Sequence, residues 1–241
     1  MALVLVIVLV VVLAGVVGTE LYARHLFGSK VANAVQCEVE DNASVSFATM
    51  PPVLWQYISS HYPDIYVETA GNQVRSAKGM KVIIDIKDLR LSDTNNSKGT
   101  IGALNGTITW SADGIKQSIQ DAIPVLGGFV TSKVTTHPSD GTIELKGLLD
   151  SAILKPQIVN NGLSLQVVSL TALGSKMSTD TVQRHLDSLT SKATQNYPLG
   201  IHADSVKVTD TGVEATFSTT NATIPAASSS PQTGQDCFSG V

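Results

Sequence analysis

From Ala2 to Gly18 the chain is continuously apolar: ALVLVIVLVVVLAGVVG carries no charge, and the polar step Thr19-Glu20 ends it. The run lies between the core of a signal peptide and the ~20 residues that span a bilayer, and Leu21 and Tyr22 extend it. The pattern predicts a transmembrane anchor or signal sequence over 1–22. Helical character continues from Leu21 to Gln36, with Gly28-Ser29 expected to interrupt it. Then the period shortens. Val45 and Phe47 alternate as in a strand, and Met50-Pro51-Pro52 stops it while placing a proline in the first turn of a helix. That helix carries Leu54, Tyr57, Ile58 and His61 on one side and is expected to end at Pro63.

Three strands with polar turns follow, Ile65 to Thr69, Met80 to Leu91 and Thr100 to Trp110. In the second, Val82, Ile84 and Ile86 alternate, and Leu89 and Leu91 resume on the opposite parity. Such a phase change predicts a β-bulge and a bent sheet. Ser111 and Asp113 are candidate N-caps for a short helix bearing Ile115, Ile119 and Ile123. Strands are expected over Phe129–Thr136, Thr142–Lys146, Ala152–Val159 and Leu163–Leu170. Asp140-Gly141 and Asn161-Gly162 are read as hairpin turns, so the pairing is antiparallel. Ser178-Thr179-Asp180-Thr181 opens a helix with an apolar stripe of Val182, Leu186, Leu189 and Ala193. Two more strands, Ile201–Thr209 and Val213–Thr219, precede a tail of Ala, Ser, Pro and Gly.

Composition narrows the function classes. Of 241 residues 15% are charged and the formal net charge is -4, so no basic footprint for nucleic acid exists. Aromatic residues make up 5%, which favours aliphatic β packing over base-stacking platforms. The two cysteines, Cys37 and Cys237, flank the post-membrane chain and suit a disulfide in an oxidising compartment. Arg24 and Lys30 follow the apolar run and no basic residue precedes it, which taken literally puts the main domain in the cytoplasm. The cysteines, and the lack of any cytosolic cofactor motif, favour the outside, with the natural start a few residues upstream. No A-x-A pattern follows the run. An uncleaved single-pass anchor with an extracytoplasmic domain is therefore expected, with secretion after cleavage as the alternative.

Asp210-Thr211-Gly212 spells the tripeptide of aspartic proteases. That chemistry needs two carboxylates sharing a proton, and neither a second such motif nor enough chain for a further lobe is present. The tripeptide reads as a hairpin with Gly212 in a left-handed position. His202 and Asp204 share a strand face, but zinc needs three or four protein ligands and no cluster completes the set. No nucleophile elbow, P-loop or dinucleotide fingerprint occurs. The residues point to no enzyme, no metal and no cofactor.

Four segments, VSFATMPPVLWQY, GTIGALNGTITW, NNGLSLQVVSL and YPLGIHADSVKVTDTGVEATF, follow in an order that resembles the LmeA-like phospholipid-binding proteins of the actinobacterial envelope. The resemblance implies an extracytoplasmic phospholipid carrier or sensor supporting the biogenesis of lipoglycans such as lipomannan, with envelope glycosyltransferases as partners. By looser analogy it implies an α+β domain of the tubular lipid-binding kind, a long, strongly curved antiparallel sheet wrapped around amphipathic helices, over residues 23–221, with an irregular tail over 222–241. Alternation by itself describes a filled core as well as a cavity, and the resemblance favours the cavity. Acyl chains are then expected between a sheet face lined by Val82, Ile84, Ile86, Ile108, Trp110, Leu163, Leu165 and Val167 and helices carrying Leu54, Tyr57, Ile58, Leu186 and Leu189. A non-lipid envelope scaffold is the alternative, and a hydrolase with an unrecognised site is a third reading.

Overall fold

A computed structural model describes residues 2–94, 96–122, 132–147, 150–172, 178–194 and 198–226. Helix α1 spans Ala2–Val39 without a break. Gly28, expected to interrupt it, instead brings α1 close to the next strand: a Cβ there would lie 3.4 Å from the Val45 carbonyl oxygen. Ala23, Ala32 and Ala34 are buried along the same helix, where small side chains permit a close approach. Half of the side chains of the expected anchor over 1–22 lie outside the described residues. Among the described residues no helix is long and apolar enough to cross a membrane.

Strand β1 (Ala43–Phe47), helix α2 (Val53–Ser59), strand β2 (His61–Thr69), the short β3 (Gln73–Val74) and β4 (Ala77–Lys78), and the long β5 (Met80–Leu91) and β6 (Ser97–Ser111) follow. α2 ends before His61, because Ser60 takes a left-handed conformation (φ 52°) and turns the chain straight into β2. Helix α3 (Ala112–Ala122) leads to β7 (Lys133–His137), β8 (Thr142–Lys146), β9 (Asp150–Val159) and β10 (Gly162–Ala172). Helix α4 (Thr179–Thr194) precedes β11 (His202–Thr209) and β12 (Gly212–Pro225). The first residues of the strand expected from Phe129, the expected helix end at Ile123 and the tail from residue 227 lie outside the described residues. β12 itself continues past Asn221, pairing Ile224 with Gly99.

The architecture is α+β and antiparallel. One six-stranded sheet has the order β1-β2-β5-β6-β12-β11 and a four-stranded sheet the order β10-β9-β8-β7. A single core joins the two sheets: Ile143, Leu145, Leu154 and Leu165 pack with Trp110, Val208 and Val213 and with Ile115, Ile119, Val182 and Leu186 of α3 and α4. Gln183 of α4 covers the free edge of β10, accepting from the Val167 amide at 2.8 Å and donating to the Leu165 carbonyl at 2.9 Å.

The phase change foreseen in β5 occurs, but without a bulge. Asp88 is left-handed (φ 52°), and so is Asn221 of β12 (φ 51°). They flank Gly102 in one row across three strands, since Lys87 and Thr220 both pair with Ala103, and Leu89 and Ala222 both pair with Ile101. All three strands switch faces together, so Ile86 and Leu89, and Leu104 and Ile101, enter one cluster with Ala222. The register holds because no strand gains a residue over its neighbour. A Cβ on Gly102 would stand 2.9 Å from the Asp88 Cβ, so the row closes around a glycine.

Candidate functional site

The two faces of the large sheet differ in chemistry. On one, Lys81 binds Glu68 at 2.5 Å, and Lys87 binds Asp64 at 2.8 Å and Asp85 at 3.1 Å. The Lys81 ammonium, with the Tyr66 hydroxyl, holds the Glu68 carboxyl below its ordinary range. This face suits water.

The opposite face is apolar, and its register can be followed strand by strand. Val67 pairs with Ile84, and Ile65 with Ile86. Val82 pairs with Ile108, Ile84 with Gly106 and Ile86 with Leu104. Ala215 pairs with Ile108, and Phe217 with Gly106. Burial along this row is uneven. Ile65 and Val67 on one flank and Ala215 and Phe217 on the other are buried. Between them Val82, Ile84, Ile86 and Ile108 are only half-buried. Gly106 leaves a gap in the same strip. By contrast Ile143 and Leu154 of the smaller sheet have no exposed surface at all. Apolar side chains flanked by a sealed core yet incompletely covered form a strip that can take further hydrocarbon, at roughly 0.8 kcal/mol for each CH₂ removed from water.

The structure therefore separates the residues expected to line one cavity. Val82, Ile84, Ile86, Ile108 and Trp110 share a face. Trp110, Leu165, Val167 and Leu186 belong to the core between the sheets, and the Trp110 indole N–H donates to the Lys78 carbonyl at 2.9 Å. Leu163 packs with Ile108 against Ala203, Ala215 and Phe217. Leu54, Tyr57 and Ile58 are exposed on α2, away from these clusters. The Leu189 side chain lies outside the described residues. The flanking residues Ile65, Val67, Ala215 and Phe217 were absent from the expected lining. Their alternation was visible in the sequence, but the strand order that sets them beside β5 and β6 was not. An open depression of about 320 Å³ at the β1, β2 and β5 ends, edged by Asn42, Ala43, Ser44, Glu68, Ala70 and Lys81, shares no lining residue with the strip.

The motif at Asp210 is a two-residue hairpin loop, with Thr209 paired to Gly212 and Val208 to Val213. Gly212 is not in the turn. It begins β12, where a Cβ would stand 2.0 Å from the Trp110 carbonyl oxygen, so the glycine is required by the close approach of β6. The β9–β10 turn likewise uses Asn160 and Asn161, both left-handed, and Gly162 opens the strand. His202 and Asp204 form an exposed pair at 3.2 Å. Cys37 is not a free thiol, and Cys237 lies outside the described residues.

A two-sheet antiparallel domain with an incompletely covered apolar strip is the frame of a hydrophobic-ligand binder. The profile of the LmeA-like phospholipid-binding family matches residues 18–218, and the chain belongs to that family. It is 55% identical over 239 residues to uncharacterised proteins of Mycobacterium bovis and Mycobacterium tuberculosis, covering 99% of this chain and 67% of each relative. No solved structure matches.

Proposed function

We propose that the protein is a non-enzymatic phospholipid carrier or sensor, tethered by residues 1–22 with its main domain outside the cytoplasm, and that it supports lipoglycan biogenesis beside envelope glycosyltransferases. The half-buried strip of Val82, Ile84, Ile86 and Ile108 carries this reading. It is where acyl chains lie, whereas Trp110, Leu165, Val167 and Leu186 support the site as core. The sealed flanks of Ile65, Val67, Ala215 and Phe217 favour a rigid seat for those chains. Cys37 pairs with Cys237, consistent with an oxidising compartment.

The test is photo-crosslinking of the full chain in vesicles with a phospholipid bearing a diazirine on its acyl chain, followed by peptide mapping. Crosslinks on β5 and β6 are expected. Crosslinks confined to residues 2–22, or none, overturn the binding site and favour a scaffold that holds other envelope proteins.

A further inference from the structure

Helix α2 is built inside out. Its buried residues are Val53 and Gln56. Gln56 is locked inward, its amide donating to the Ala48 carbonyl at 3.0 Å and the Pro51 carbonyl at 2.7 Å. The large apolar side chains point away from the protein: Trp55 is 62% exposed and Ile58 74%, with Leu54 and Tyr57 beside them. Met50, just before the helix, is 75% exposed. A helix stabilised by folding alone places these residues the other way round.

The helix is also fixed in place. Glu20 of α1 accepts from the Val53 amide at 2.7 Å and the Leu54 amide at 3.3 Å, serving as a remote N-cap. Arg24, paired to Glu20 at 2.8 Å, donates to the carbonyls of Phe47, Ala48 and Thr49. Phe27 stacks on Tyr57 with ring centroids 4.9 Å apart. On α1 itself, at the same level of the helix, Leu21 and Tyr22 are exposed as well. The polar clamp thus joins α2 to α1 immediately after the apolar run.

The length of α1 sets the depth of this patch. Residues 2–18 of one unbroken helix extend about 26 Å at 1.5 Å each, and the hydrocarbon core of a bilayer is about 30 Å thick. If the run spans that core, Glu20 and Tyr22 stand at its boundary and the next turn stands among the headgroups. Tryptophan and tyrosine are the side chains that favour that depth, having an apolar body and a polar tip.

We infer that α2, with the exposed flank of α1 beside it, rests on the bilayer surface in the headgroup region and fixes the orientation of the sheet domain relative to the membrane. The inference rests on the tethered reading above. The occupant of the patch is the lipid bilayer itself, because the exposed apolar surface of α2 continues the apolar run of α1 across a rigid clamp.

Trp55 reports directly, since the other tryptophan, Trp110, is buried. The full chain is reconstituted into vesicles of phosphatidylcholine and phosphatidylglycerol brominated on the upper acyl carbons. Wild type is expected to show a blue-shifted emission, part of which is lost to bromine quenching. Trp55→Phe removes the quenched part and leaves the rest, and Ile58→Asp, at an exposed position, restores access of acrylamide to Trp55. A chain that floats with the vesicles while Trp55 remains unquenched and open to acrylamide overturns the docking but keeps the tether. Trp55 shielded from acrylamide but unquenched, in a chain that runs as a dimer, assigns the patch to a second copy and also overturns it. A chain that does not float overturns tether and docking together.

Discussion

Ile84 of β5 stands directly opposite Gly106 of β6, so at the middle of the apolar strip a large side chain faces none. A Cβ at Gly106 would meet its nearest neighbours, the Ile83 carbonyl oxygen and Phe217, at 3.8 Å and 3.9 Å, which is ordinary contact. Gly106→Val therefore fits the strand and fills the gap. The expected result is an unchanged or slightly raised melting temperature with a several-fold fall in phospholipid crosslinking on β5. Undiminished crosslinking in a folded variant moves the acyl chains elsewhere.

The strip and the core respond differently to a buried charge. Ile108 is half-buried, so in Ile108→Asp the carboxylate keeps contact with water, and a modest fall in melting temperature with loss of bound lipid is expected. Leu154 has no exposed surface, and Leu154→Asp leaves an unpaired charge in the sealed core, costing more than about 4 kcal/mol. Thermal melts of the two variants side by side separate groove from core. Equal unfolding of both defeats the assignment of Ile108 to an open strip.

At the Asp210 hairpin the glycine, and not the carboxylate, is expected to matter. Gly212→Ala forces a methyl group onto the Trp110 carbonyl and is expected to lower stability by roughly 2 kcal/mol or more. Asp210→Asn is expected to leave both melting temperature and lipid crosslinking unchanged. Loss of function in a folded Asp210→Asn protein revives a chemical role for the motif.

Asp41 ties the end of α1 to the β2–β3 turn, accepting from the amides of Gly71 and Asn72 and from the Asn72 side chain, each at 2.9 Å. Burial works against its charge, but the hydrogen bonds from Asn72, Asn42 and Gln73 outweigh it and hold the carboxyl below the ordinary range. A lowered pKa in the folded state means a contribution that is complete above the unfolded value of about 4 and is lost as the pH falls through the folded one. Asp41→Asn turns one acceptor into a donor among donors and is expected to cost about 1–3 kcal/mol at neutral pH. It also flattens the acid limb of stability against pH, and an unaltered limb contradicts the role given to Asp41.

The proposed pairing of Cys37 with Cys237 closes a loop of most of the chain. In the chain-entropy treatment such a closure stabilises by about 4–5 kcal/mol. Peptide mapping without reduction is expected to recover the two cysteines linked, and Cys37→Ser to melt at a markedly lower temperature. Recovery of Cys237 as a free thiol refutes the pairing.

Much of this protein is determined by local pattern. The apolar run, the alternation in β5, β6 and β12, the stripe of Val182 and Leu186 and the antiparallel turns follow from periodicity and turn chemistry, which act over a few residues. The departures are contacts between segments distant in sequence. Gly28 reads as a break and Gly212 as a turn, yet Gly28 lies in an unbroken helix against β1, and Gly212, like Gly102 within its strand, sits where a neighbouring strand approaches too closely for a Cβ. The helix at 53–59 reads as amphipathic, but its inward face is set by Glu20 and Gln56, so Leu54, Tyr57 and Ile58 turn outward. Alternation states that Ile84 and Leu165 each have a buried side, and does not state how completely that side is covered. Strand order decides it: Leu165 lies in the core shared by both sheets, whereas Ile84 lies beside Gly106 on a strip the described residues leave half open. Coverage depends on which elements meet, and long-range packing, not hydrophobic period, sets that.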